Sequence, residues 1–158
     1  MSGTEKLEAL QEKLIAAGLE ANFAHGLLAV ALPREDVLAI ATRLKDEFGF
    51  DLFLDVTAVD WPERKPRFDV VYHFYSTRDH VRVRLKTAVS EEEPVVASLV
   101  SLFGSAGFME RECHEMYGIK FHGNPDLRPI LLYEGFEGHP LRKDYPKELE
   151  QPLVRYRT

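Results

Sequence analysis

Four side chains near the C-terminal end of the chain could bind a metal ion: Cys113, His114, His122 and His139. A structural zinc site needs ligands that converge on one point and recur at characteristic spacings. The spacing here matches no standard zinc set, and adjacent residues of a helix point in different directions. We therefore predict no metal ligand in this chain. Cys113 is expected to pack in the interior, and the histidines to form hydrogen bonds.

Cys113 could instead act as a nucleophile, which requires a neighbouring base and electropositive surroundings. His114 is adjacent in sequence, but on a helix its side chain is turned about 100° away. The glutamates nearby would raise the thiol pKa. As the single cysteine of the chain, Cys113 also excludes an internal disulfide and the cysteine-rich ligand sets of iron–sulfur clusters. A catalytic thiol is therefore not favoured.

Three glutamates of the same segment, Glu110, Glu112 and Glu115, could provide a general acid and a general base. Glu115 lies four residues after Arg111, however, and an ion pair on a solvated or interface helix explains this spacing better. Residues 104–107 form no phosphate-binding loop, because they lack both the pattern and the lysine of a P-loop. The sequence therefore predicts no catalytic and no cofactor-binding residue.

The tail after this helix has the composition of a docking segment. At about 40 residues it is longer than the connections inside compact domains. A helix or a central strand is excluded by four prolines, Pro125, Pro129, Pro140 and Pro146. Its apolar and basic residues alternate, which suits binding to another protein surface. The alternative is that the tail folds back on its own domain. Pairing with groups on a partner is expected for Arg128, Arg142, Lys143 and Asp144.

Hydrophobic periodicity predicts a two-layer α+β domain in front of the tail. The first helix carries Leu7, Leu10 and Leu14, and the second lies between Pro33 and Gly49. Two further helices are predicted at 95–103 and 108–118. Strands are predicted at 27–32, 52–59, 68–75 and 81–86, of which the last two form a hairpin. We expect a mixed sheet of about four strands packed by helices, with the α+β domain at 1–118 and an extended C-terminal docking arm at 119–158.

Charge and composition narrow the classes of function. A length of 158 residues fits one domain with an appendage. The formal charge of −6 argues against nucleic acid as the main partner, and the alternating Arg82, Arg84 and Lys86 are explained by a solvated strand face. No signal peptide and no run as long as a membrane span is present in the sequence. We therefore expect a cytoplasmic protein that reaches a membrane only through a partner.

The segment from Glu110 onward resembles the 30 kDa subunit family of respiratory complex I, the bacterial C subunit of NADH–quinone oxidoreductase. Its Glu-Arg-Glu block, Gly-Ile-x-Phe and Pro-Asp-Leu-Arg motifs are present, and Phe-Glu-Gly-His-Pro-Leu-Arg-Lys-Asp-aromatic-Pro runs unbroken through 136–146. Asn124 and Pro129 depart from the pattern, since they stand where the family usually has histidine and a second basic residue. The signature residues, which we predict to form or support an interface, are Glu110, Arg111, Glu112, Glu115, Tyr117, Gly118, Phe121, Pro125, Leu127, Arg128, Phe136, Gly138, His139, Pro140, Leu141, Arg142, Lys143, Asp144 and Pro146.

The resemblance implies a structural or assembly subunit without a redox centre of its own. It would belong to the peripheral arm of a proton-translocating NADH–quinone oxidoreductase. There it would dock on the D-type subunit, also known as the forty-nine-kilodalton type, and on its neighbours in that arm. Such a complex uses NADH, FMN, iron–sulfur clusters and quinone, and lies on the cytoplasmic face of the bacterial inner membrane.

Two alternatives to this role stay open. One is the equivalent subunit of a membrane-bound hydrogenase or another quinone-type oxidoreductase. The other is a stand-alone metal or thiol enzyme.

Overall fold

A five-stranded mixed sheet forms the body of the protein. The computed structural model describes residues 3–149, and in that range a second, two-stranded sheet lies beside the first. The helices are α1 Gly3–Ala16, α2 Val37–Asp46 and α3 Ala106–Tyr117, with a 3-10 turn at Arg34–Asp36. The strands are β1 Glu20–Ala24, β2 Leu27–Ala31, β3 Leu52–Asp60, β4 Phe68–Ser76, β5 Val81–Val89, β6 Val95–Ala97 and β7 Lys120–His122. The predicted α+β architecture is confirmed.

The larger sheet has the strand order β1-β2-β5-β4-β3. β3, β4 and β5 form an antiparallel meander, so the predicted hairpin of the last two is confirmed. β2 joins them in parallel with β5. Alternation along β5 points Val83 and Leu85 to a buried face, and Arg84 and Lys86 to the opposite face.

All three helices bury their apolar residues in one cluster on the buried face of the sheet. Three aromatic rings form its centre: Phe53 and Phe74 have centroids 5.1 Å apart, and Phe103 stacks on Phe53 at 5.6 Å. The opposite face is left without a helix in the part of the chain that the structure describes. Within that part, no helix is both long enough and apolar enough to cross a bilayer.

Two elements differ from the sequence-based expectation. The strand β1 was not expected; it pairs with β2 through a two-residue turn, His25 and Gly26, whose φ angles of 53° and 75° define a type I′ hairpin. The predicted helix at 95–103 is wrong. Val95–Ala97 forms β6 and pairs in parallel with β7, because its β-branched residues gain a partner that lies more than twenty residues further along the chain.

The arm begins later than the predicted boundary after Gly118. Residues 120–122 form β7, and Ile119 and Phe121 belong to the core cluster, so this stretch is part of the domain body. The arm therefore leaves the domain after His122. The outermost parts of the two predicted ranges, residues 1–2 and 150–158, lie outside the described residues.

We expect Phe74→Ala to destabilise the domain by about 3–5 kcal/mol, because its fully buried ring contacts two other aromatic rings. Urea unfolding monitored by circular dichroism measures the change. Leu52→Ala on the edge strand is the control, since that side chain is 41% exposed and should cost under about 1 kcal/mol. Equal losses in the two variants would contradict this packing.

Candidate functional site

The side chain of Glu110 joins the second sheet to the arm from inside the protein. Its carboxylate is fully buried and accepts hydrogen bonds from Ser98 Oγ (2.7 Å), the backbone N–H of Leu99 (2.7 Å) and Asn124 Nδ2 (2.8 Å). Burial raises the pKa of this carboxyl, although the three donors favour its ionised form. Asn124, which departs from the family pattern, therefore has a defined role: it fixes the start of the arm on α3.

One turn further along α3, Arg111 and Glu115 hold the backbone of the arm. Arg111 donates from Nε to the carbonyl of Arg128 (2.8 Å) and from Nη2 to the carbonyl of Pro129 (2.9 Å). Glu115 accepts from three successive backbone N–H groups at 2.8–3.2 Å, those of Ile130, Leu131 and Leu132. The expected ion pair between Arg111 and Glu115 is not formed; each side chain instead binds polar backbone groups that the arm cannot pair by itself.

The last turn of α3 is capped by the second half of the arm. A helix end leaves its final carbonyl groups without partners inside the helix. Here the carbonyl of Glu115 meets His139 Nδ1 at 2.9 Å, that of Met116 accepts from the backbone N–H of Leu141 at 3.2 Å, and that of Tyr117 accepts from Arg142 Nε at 2.6 Å. Because a carbonyl can only accept, His139 must carry its proton on Nδ1.

Gly118 makes this close approach possible. It ends α3 in the left-handed conformation with φ of 79°. A Cβ atom there would lie 2.6 Å from Arg142 Nη2 and 2.7 Å from His139 Nε2. Any other residue would be strained in its backbone and would push both capping side chains away. The Gly-Ile motif and the His-Pro-Leu-Arg motif therefore form one structural unit.

A buried ion pair, which sequence reasoning missed as a site, fixes the end of the arm. Arg67 binds Asp60 through two hydrogen bonds, Nε to Oδ1 at 2.7 Å and Nη2 to Oδ2 at 2.9 Å. Its Nη1 also contacts carboxylates of Glu91 (2.7 Å) and Asp144 (2.9 Å). The backbone N–H of Lys143 donates to Asp60 at 2.8 Å. Hydrogen bonding to Arg67 holds the pKa of Asp60 below its usual value. Charged residues at the ends of apolar strands were the available signal.

The charged residues predicted to pair with a partner have partners within this chain. Arg142 lies over the Phe68 ring at 5.0 Å as well as capping α3. Asp144 meets Arg67, Lys143 lies over the Trp61 ring at 5.4 Å, and Arg128 forks onto Asp126 at 2.8 and 2.9 Å. The tail therefore folds back on its own domain, which was the alternative stated from sequence.

The other signature residues divide into packed and exposed groups. Phe121 is buried in the core, Leu127 packs against it, and Phe136 stacks on Tyr145 at 6.1 Å. At Gly138, φ is 90°, and a Cβ there would lie 2.8 Å from the Tyr145 ring. Exposed positions include Glu112, Pro125, Pro146 and the side chain of Leu141, while Pro140 is half-buried.

The geometry favours recognition over chemistry at this site. Cys113 is buried, and burial raises the pKa of its thiol far above the ordinary range, so the thiol stays protonated. Within residues 3–149, no group of three or more histidine, cysteine or acidic side chains is arranged to hold a metal ion. What α3 and the arm share is a set of well-formed hydrogen bonds that fixes the path of an extended segment over the domain.

The family model for the respiratory-chain NADH dehydrogenase 30 kDa subunit matches residues 30–151. The chain belongs to this family. Its relatives include the C 1 subunit of NADH-quinone oxidoreductase from Rhizobium meliloti (strain 1021), which is 48% identical over 139 residues, 87% of this chain and 69% of the relative. The C subunit from Paramagnetospirillum magneticum (strain AMB-1) is 49% identical over 123 residues, 77% of this chain and 61% of the relative. The chain thus spans about two thirds of the length of these relatives.

Two solved structures share the fold of this chain. The trypsin-resistant fragment (1–134) of Nqo5 is 34% identical and superposes with a TM-score of 0.71 over 77% of this chain and 99% of the fragment. A chain of an archaeal membrane-bound sulfane sulfur reductase complex superposes with a TM-score of 0.77 over 94% of this chain and 97% of that chain, at 22% identity. The second likeness concerns the fold alone.

We expect Glu115→Gln to loosen the middle of the arm, because an amide offers only one accepting oxygen to three N–H donors. Hydrogen exchange read by mass spectrometry should show the amides of Ile130, Leu131 and Leu132 exchanging at least about tenfold faster. Glu112→Gln, on the same helix but exposed, should leave them unchanged. Full protection of these amides in Glu115→Gln would disprove the assignment.

We also expect Arg67→Met to cost roughly 3–5 kcal/mol at pH 7, since it leaves the buried Asp60 carboxylate without its partner. The lowered pKa of Asp60 contributes stability that is present above its unfolded pKa of about 3.9 and is lost as pH falls through the folded pKa. Removing Arg67 removes that contribution. Urea unfolding from pH 7 to pH 3 should therefore show a smaller acid-induced loss in Arg67→Met than in the wild type.

The matched control for the ion pair is Arg43→Met, which breaks the exposed pair with Glu47 at 3.0 Å on α2. That pair should contribute no more than about 0.5 kcal/mol. If both arginine variants lost the same stability at pH 7, or kept the same acid dependence, the buried pair would not have the role assigned to it.

Proposed function

We propose that the chain is the C subunit of a proton-translocating NADH–quinone oxidoreductase, with a structural and assembly role in the peripheral arm of that complex. The support is its family membership together with relatives named as C subunits of this enzyme. In this proposal NADH, FMN, iron–sulfur clusters and quinone are bound by other subunits, and this chain binds none of them. It associates with the cytoplasmic face of the inner membrane through its neighbours.

The partner surface we assign is the outer side of the arm, which faces the D-type subunit. The arm's charged groups are used for its own attachment, so its path is defined before any partner binds. Preorganisation of this kind lowers the entropy lost on association. A short arm held in one conformation is therefore better suited to docking than the same residues would be in a free tail.

Exposed apolar side chains along the arm supply the contact in this proposal. Leu131 is 63% exposed although its backbone N–H is bound by Glu115, and Leu141 is 52% exposed although its backbone N–H caps α3. At both positions the backbone is fixed inward and the side chain points outward. Exposed leucines on a rigid backbone are suitable anchors for a pocket on another protein.

A related membrane-bound oxidoreductase stays as the second candidate. The superposition on a chain of the sulfane sulfur reductase complex covers almost all of both chains. An NADH-oxidising flavin module separates the two candidates, since only a complex driven by NADH requires one. Its presence or absence among the proteins that co-purify with this chain decides between them.

The test is affinity purification of the tagged chain from solubilised membranes of its own cells, with the recovered subunits quantified by mass spectrometry. Wild type should recover the D-type subunit and the NADH-oxidising module. Leu131→Asp with Leu141→Asp should lower that recovery by about tenfold, because two buried anchors would become charged.

The control is Ile15→Asp with Leu38→Asp, which places the same charges on exposed apolar positions of α1 and α2. It should leave recovery unchanged. Equal recovery in the arm variant and the control would refute docking through the arm, and recovery of no respiratory subunit with wild type would refute the proposed function itself.

A further inference from the structure

The face of the larger sheet that lacks a helix carries its side chains in aligned rows across the strands. One row consists of Asp55, His73, Arg84, Ala29 and Asn22, which are successive register partners on β3, β4, β5, β2 and β1. The neighbouring rows run through Arg82 and Lys86 on the same central strand. We call this surface the open face and define it by the outward residues of β5 and their row partners.

The cations at the centre of the open face are incompletely paired. Within residues 3–149, no carboxylate oxygen lies within 4.0 Å of the charged groups of Arg82 or Arg84. Arg84 is half-buried, and its Nε is buried with no hydrogen-bond partner in the described residues. Lys86 has Asp69 only at 3.7 Å. A buried N–H group without an acceptor is costly, so the arrangement favours an acceptor that comes from outside.

The strands beside β5 leave room for such an acceptor to approach. On β2, the open face presents Ala29 and Ala31 directly opposite Arg84 and Lys86. On β4, burial lowers the pKa of His73, and the charge of Arg84 lowers it further, so this ring adds no positive charge at neutral pH. The positive charge is therefore confined to one central strand with small neighbours on one side.

We propose that the open face binds a carboxylate-bearing segment of a second neighbouring subunit, whose acidic side chains pair with Arg82 and Arg84. This inference rests on the proposed function, because it requires a complex with more than one neighbour. Planar guanidinium groups form paired hydrogen bonds to carboxylates, and a partly desolvated site strengthens them.

A protein partner fits this surface better than a phosphate-rich one. The net charge of the chain is −6, and acidic Asp55 and Glu20 end two of the rows. Membrane surfaces and nucleic acids are bound by larger basic clusters without acidic borders. The described contacts of the arm involve α3, Phe68 and the Asp60–Arg67 pair, so this face is a separate surface from the docking arm.

The first test repeats the affinity purification with Arg82→Glu/Arg84→Glu. The matched control, Arg78→Glu/Lys120→Glu, makes the same change in charge at exposed positions outside the open face. Circular dichroism melts verify that both variants fold. We expect the open-face variant to lose about tenfold in recovery of at least one subunit other than the D-type partner, and the control to lose none.

The second test uses a conservative variant, so it does not depend on tolerance of charge reversal. Arg84→Lys keeps the charge and offers a primary amine, which a carbodiimide joins without a spacer to a carboxylate in contact with it. Cross-linking in the purified complex, followed by peptide sequencing, should join the new amine at position 84 to an aspartate or glutamate of another subunit.

Several outcomes would overturn the inference. These are undiminished recovery with Arg82→Glu/Arg84→Glu, an equal loss in the control, a cross-link only within the chain, no cross-link, or a cross-link only to a second copy of this chain. If wild type still recovers respiratory subunits in those cases, the proposed function stands without the inference. If wild type recovers none, both fail.

Discussion

The end of α3 leaves carbonyl oxygens that the helix cannot satisfy, and the rest of the site depends on how they are paired. Three consecutive residues, Glu115 to Tyr117, present carbonyls to which His139, Leu141 and Arg142 are joined. Water could occupy these positions in an isolated helix, but here the arm does. Arg142 also brings positive charge to the negative end of the helix dipole. Backbone demand at one helix end thus determines where an extended segment without secondary structure lies.

This constraint reassigns the charged residues of the arm. Arg142 and Asp144 were expected to meet a partner, yet both complete contacts inside the chain. An arm with few apolar contacts has to gain its attachment from polar ones, and charged hydrogen bonds to backbone groups are the stronger kind. The side chains left pointing outward are then mainly apolar, as at Leu131 and Leu141. Attachment and recognition are divided between different atoms of the same residues.

The sequence predicted what local pattern controls and failed where distant segments decide. The helix at 108–118 and its glycine end were confirmed because periodicity and a left-handed cap are properties of neighbouring residues. The helix at 95–103 was wrong because its strand partner lies beyond His114 in the chain. The spacing of Arg111 and Glu115 fitted an ion pair, but unpaired backbone groups of residues 128–132 compete for both side chains. No pattern within one helix reveals such a competitor.

The buried pair of Asp60 and Arg67 shows why the arm takes one path. A buried ion pair adds little net stability, since desolvation offsets much of the attraction. The backbone N–H of Lys143, however, reaches Asp60 from 83 positions further along the chain. Were the arm displaced by one residue, that N–H and the Asp144 carboxylate would lose partners that no neighbouring group replaces. The pair therefore contributes specificity of position, and that specificity is what a docking segment with only a few outward anchors requires.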